Sequence, residues 1–152
     1  EIQNNRKNKK EDGILVSQKV LLTWLIESEE IFHQIEKYIT PEDFSEGLFR
    51  KVAELLYEQY EKHEANPAQI MNHFTDEEEH REVAGLFHTK IKELTTVKEQ
   101  EKALQETILR VKEHSIEEAT KNLDPTDIQG LQRLMNEKRK MQDLRTLHIS
   151  IN

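Results

Sequence analysis

Two carboxylate–histidine pairs, Glu30-x-x-His33 and Glu77-x-x-His80, have the i, i+3 spacing by which helical bundles hold paired metal ions. Such a centre also needs inward carboxylates from two further helices. His33 lies about 200° around a helix from Ile31, on the polar side, and His80 falls in an acidic first turn before any apolar stripe begins. With 30 acidic residues among 152, chance matches at this spacing are expected, and both pairs read as solvated surface pairs. The serines offer no better chemistry. Ser17, Ser28 and Ser45 stand at helix starts, Ser115 within a long helix and Ser150 near the end, and none occupies a Gly-x-Ser-x-Gly turn. Gly13, Gly47, Gly85 and Gly130 are isolated, so no glycine-rich phosphate loop forms. The absence of cysteine removes disulfides, thiolate zinc sites and a thiol nucleophile. Neither catalysis nor a cofactor is expected.

The chemistry that remains is attraction between surfaces. Arg133, Lys138, Arg139, Lys140 and Arg145 gather positive charge against Glu137 and Asp143. They suit an acidic partner surface; the plainer reading is a solvated helix with cations toward its negative C-terminal end. The aromatic interleaving that single-stranded nucleic acid requires is missing. Among the same residues, Met135, Leu147 and Ile149 fall outside the apolar seam formed by Leu131, Leu134, Met141 and Leu144, and are expected to lack cover within the chain. Exposed methionines are adaptable contacts. The partner-binding set read from the sequence is therefore Leu134, Met135, Lys138, Arg139, Met141, Leu144, Arg145 and Leu147.

The elements that would position these residues are helices. Hydrophobic residues make up 35% and charged residues 34%, with only three prolines and four glycines, a composition for a narrow core and long solvated helices. The fold class is all-α: a compact multi-helix bundle followed by a protruding helical hairpin. Residues 1–13 read as a linker remnant, so the chain is expected to be a fragment of a longer protein. Residues 14–96 form the bundle and 97–149 the hairpin. The formal net charge of −8 is concentrated in the bundle, where eight basic residues face seventeen acidic ones, unsuited to gripping a phosphate backbone. No apolar run approaches the roughly 20 residues that cross a bilayer, and no signal peptide stands at the start.

Within the bundle the first helix is expected near Ser17, with Val20, Leu21, Trp24 and Leu25 on one face, and the second over residues 28–39. Trp24, the only tryptophan, is expected at the centre of the core. Thr40-Pro41-Glu42-Asp43 is a strong start signal: a threonine cap, proline at the first position and a carboxylate reaching back. Ser45 is expected to cap a helix running through His63, Asn66-Pro67-Ala68-Gln69 to open a short one, and Thr75-Asp76-Glu77-Glu78 to box another whose inner face runs from Val83 to Leu94. Thr96-Val97-Lys98-Glu99 opens a far longer element over residues 97–122, about 39 Å at 1.5 Å per residue. Its seam of Val97, Leu104, Ile108, Val111 and Ser115 is wide enough for one neighbouring helix. Asp124 and Pro125 are expected to start the last helix, with Leu123 and Ile128 stapling the corner.

The run Val20-Leu21-Leu22-Thr23-Trp24-Leu25, then Ile39-Thr40-Pro41-Glu42-Asp43-Phe44, Leu55-Leu56-Tyr57 and Asn66-Pro67, resembles the C-terminal helicase-binding domain of bacterial DNA primase. The resemblance spans residues 14–149 and is carried by helices and apolar positions. It implies a bundle and hairpin that dock on the N-terminal domains of the hexameric replicative helicase in the cytoplasm, recruit primase to the fork and stimulate the helicase. Priming would belong to other domains. The rival readings are the helicase's own N-terminal domain, which shares the plan but should lead into a motor domain, and a metal-binding helical bundle. The ending over residues 147–152 is expected to be a natural terminus, which favours primase.

Overall fold

The computed structural model describes residues 2–88 and 96–151, with side chains described over 13–87 and 96–151. Among the described residues there are six α-helices, two 3₁₀ helices and no strand: α1 Ile2–Glu27, α2 Glu29–Ile35, a first 3₁₀ turn Pro41–Asp43, α3 Leu48–Glu61, a second 3₁₀ segment Pro67–His73, α4 Glu77–His88, α5 Val97–Lys121 and α6 Ile128–Thr146. The chain is an all-α multi-helix bundle. None of the helices is long and apolar enough to cross a membrane among the described residues.

Local chemistry explains most boundaries. Ser28 separates α1 from α2 and its hydroxyl accepts from the Ile31 amide at 3.3 Å. The Thr40 amide donates to Asp43 Oδ2 at 2.9 Å, the reciprocal cap expected of that motif, and Ile39 and Phe44 on either side are buried. Thr96 caps α5 through the Glu99 amide at 3.2 Å, as its spacing predicts.

Other starts differ from expectation, each for a visible reason. The first helix begins at Ile2, well before Ser17. Ser17 is an interior residue whose hydroxyl donates back to the Gly13 carbonyl at 3.0 Å, a bond compatible with continuing helix. Ser45 does not cap α3. Its amide and hydroxyl are both taken by the Gln18 amide of α1, at 3.0 and 2.7 Å, and α3 starts after Gly47, whose φ of +116° suits glycine. α4 is capped by Asp76 rather than Thr75, through the Glu79 amide at 3.2 Å. Ile91 and Leu94, expected on its inner face, lie outside the described residues.

The hairpin corner shows the clearest correction. Asp124 accepts from the Thr126 amide and hydroxyl at 2.9 and 2.8 Å, closing a turn on itself. The helix therefore waits until Asp127, which accepts from the Gly130 amide at 3.0 Å. Ile128 is 70% exposed and staples nothing. Leu123 instead lies on the glycine: a Cβ at Gly130 would sit 2.8 Å from Leu123 Cδ1. Asp127→Ala should cost about 1 kcal/mol, with hydrogen exchange rising in the first turns of α6; an equal effect from Asp124→Ala alone would return the cap to Asp124.

Among the described residues one core runs from α1 to the end of α6. Leu21, Leu22 and Leu25 of α1, Ile31, Phe32 and Ile35 of α2, and Val52, Leu56, Tyr57 and Tyr60 of α3 meet at its centre. Trp24 is only partly buried at its rim; the central aromatic is Phe32, whose ring centroid lies 4.8 Å from those of Tyr57 and Tyr60. α5 packs along α1, with Leu104, Ile108 and Val111 buried in the same cluster. The hairpin is thus rooted in the bundle core, and only its far end projects: no residue over 113–133 is buried.

Candidate protein-docking face

The helical period divides α6 into two faces. Leu134, Met141 and Leu144 are 8%, 8% and 1% exposed and pack inward, with Leu144 part of the common core. These three members of the expected partner-binding set support the hairpin and are not available to a partner. Leu147 is half-buried against the core and Ile149 is buried, so neither lacks cover. The reason is the stretch after α6, which folds back across the bundle. Gln34 of α2 pairs with the Ser150 backbone, its amide nitrogen donating to the carbonyl at 2.8 Å and its oxygen accepting from the amide at 2.9 Å. Glu101 accepts from the Ile151 amide at 2.9 Å.

The opposite face keeps Met135, Lys138, Arg139 and Arg145. Met135 is 65% exposed, and the three cations are exposed and make no ion pair among the described residues. Two further residues lie on this face: Ile128, expected in the corner staple, and Leu131, expected in the seam. Both are exposed. Ile128, Leu131, Met135 and Arg139 follow one another at three, four and four residues, one stripe of an α-helix. Large exposed apolar residues are few in the described chain, and half of them, Ile128, Leu131 and Met135, lie on this stripe. The other basic residues of the cluster turn away: Lys140 donates to Glu137 at 3.1 Å, and Arg133 lies 3.9 Å from Asp127.

Beneath this helix lies a group of charges that the sequence reading did not single out. Lys112 of α5 is fully buried. Its amine donates to both oxygens of Asp43 at 3.1 and 3.2 Å and to Glu137 of α6. The Ser115 hydroxyl donates to Asp43 at 2.7 Å. The signal was present: Lys112 lies four residues after Ile108, and Glu137 three after Leu134 and four before Met141, both within apolar arcs. Burial alone would raise the Glu137 carboxyl, but hydrogen bonds and charge from Lys112, then Lys140, outweigh it and hold the group below its ordinary value. A depressed carboxylate stabilises the fold above its unfolded pKa, and that contribution is lost as pH falls through the folded value. Acidification from about pH 6 to about pH 3 should therefore lower the melting temperature of the parent more than that of Glu137→Gln; equal slopes would contradict the assignment.

Between the hairpin's far end and the loop before α3 runs a cleft of about 690 Å³. Glu42, Glu46, Glu118, Asp124 and Asp127 line it against Arg50 and Arg133, a field that repels phosphate. No group of three or more metal-ligating side chains is assembled among the described residues. His33 sits 3.5 Å from Glu29 and 3.7 Å from Glu36 on the surface.

No family model, curated protein or solved structure matches the chain. The functional reading therefore rests on the geometry of the α6 face and on the resemblance carried by the quoted residues.

Proposed function

We propose that this chain is the non-catalytic helicase-binding domain of a bacterial DNA primase, and that the outward face of α6 docks on the N-terminal domains of the hexameric replicative helicase. In this role it recruits primase to the replication fork in the cytoplasm and stimulates the helicase. The observation that carries the proposal is the stripe of Ile128, Leu131 and Met135 continuing into Lys138, Arg139 and Arg145, solvent-facing on an otherwise acidic protein. Apolar anchors bordered by charge are the anatomy of a protein interface. The resemblance to the primase domain over residues 14–149 supplies the partner.

The two halves of the stripe should act on different steps. Met135→Ala should raise the dissociation rate of the complex, since a buried anchor acts only after docking. Neutralising Lys138, Arg139 and Arg145 should mainly slow association and flatten its salt dependence, because such charges act over about 8 Å at physiological salt. Stopped-flow association with purified helicase separates them. Absence of any complex in sedimentation velocity would remove the helicase as the partner.

A further inference from the structure

We propose that Lys112 is a positioning residue that locks the register of α6, and so the direction in which its outward face is presented; the link to docking rests on the proposed function, the lock itself does not. The apolar contribution of α6 to the hairpin is thin: Leu134, Met141 and Leu144, all on one side. A four-residue slip would set Lys138, Arg145 and His148, or Gly130, Glu137 and Lys140, at these places and is opposed by the seam itself, but a three-residue slip keeps two of the three apolar, so the seam alone resists it weakly. The charges distinguish sharply. In the observed register the Lys112 amine meets Glu137 of α6 and Asp43 of the first 3₁₀ turn, joining three elements separated in the sequence.

The network is complete. Asp43 also accepts from Ser115 and from the Thr40 amide, Lys140 satisfies the other oxygen of Glu137, and no buried polar side-chain atom is left without a partner among the described residues. A three-residue slip of α6 would set Leu134 or Lys140 against the Lys112 amine, and a four-residue slip Arg133 or Met141. None of these can accept its protons. A buried ion pair adds little net stability over a well-packed apolar substitute, but breaking one is expensive, and fixing register is its best-attested use. The cluster is placed where the core runs out: α5 has no buried residue from 113 onward.

The test uses the absence of cysteine. Nitroxides on Glu46→Cys, at the cleft, and Gln132→Cys, on α6, both exposed positions, report the placement of α6 by double electron–electron resonance. The parent should give one narrow distance. Lys112→Met should lose it to a broadened or second distance while helicity and cooperative melting persist. Met141→Ala, an apolar truncation on the same seam, should lower the melting temperature yet keep the narrow distance. If Lys112→Met does not fold, Glu137→Met, which cannot accept the Lys112 proton, decides, with the same broadening expected. An unchanged distance in the folded variant, or equal broadening in Met141→Ala, overturns the lock. Helicase titration is read separately: apparent affinity of Lys112→Met should fall with the fraction of molecules in the competent register. No binding by the parent would defeat the docking proposal while leaving the distance result to judge the lock.

Discussion

Phe32→Ala should destabilise the fold by about 3–5 kcal/mol, a large part of the roughly 5–15 kcal/mol available to an ordinary domain. Phe32 is 2% exposed, and Tyr57 meets its ring edge-on at an interplanar angle of 87°. Its removal therefore leaves a void flanked by two tyrosines with further tasks. The Tyr57 hydroxyl donates to the Ile39 carbonyl at 2.7 Å, and that of Tyr60 to the Leu25 carbonyl at 2.5 Å, tying α3 to α1 and to the approach of the first 3₁₀ turn. Both remain donors, since burial, then Glu29, pushes the Tyr60 hydroxyl up to about 12, and burial with Asp43 and Glu36 raises that of Tyr57 further. Trp24→Ala, at the rim, should cost clearly less. Urea titrations of both variants check the order; a loss below about 1 kcal/mol for Phe32→Ala would place the centre of the core elsewhere.

Asp43→Ala should cost about 3–5 kcal/mol. The substitution strips Lys112 of one of its two carboxylates, removes the acceptor for Ser115 and uncaps the Thr40 amide. Glu137 remains beside Lys112, which places the expected loss toward the lower end. Asp43→Asn keeps the shape and an acceptor oxygen, and should lose less than Asp43→Ala. Thermal and urea unfolding of the two variants provide the check. Equal losses would mean that the negative charge alone, rather than shape or capping, sets the role of Asp43.

What was legible in the sequence was local. Thr40 to Asp43 and Thr96 to Glu99 announce their turns because cap, first position and third position lie within four residues, and nothing distant competes for them. Ser45 looks equally local, yet Gln18, 27 residues away, takes both its polar groups. Asp124 and Asp127 are both capable caps, and the choice turns on whether Thr126 closes a tighter turn first. The proposed docking face was half legible for the same reason. Periodicity places Met135, Lys138 and Arg139 outward, but it cannot tell that Leu147 and Ile149 are covered, because the stretch after α6 folds back across the bundle. The boundary expected at Thr96 is where α5 starts, but it marks no general change in helix length, since α1 has 26 residues and α5 has 25, and the core runs straight across it through Leu104, Ile108 and Val111. Lys112 escaped notice because a charge within an apolar arc reads as an interruption until Asp43 and Glu137 are seen beside it.

The central claim is that the outward face of α6 binds the replicative helicase, and one titration tests it most directly. Isothermal calorimetry with purified helicase should compare the parent with a Met135→Asp, Arg139→Glu double variant and with a charge-reversal control on α4, Glu78→Lys with Glu82→Lys. Each should remain folded by circular dichroism, as the four positions are solvent-exposed. The α6 variant should lose at least about a hundredfold in affinity, near 2.7 kcal/mol, and the α4 variant should bind as the parent does. A folded α6 variant that binds with unchanged affinity would contradict the account.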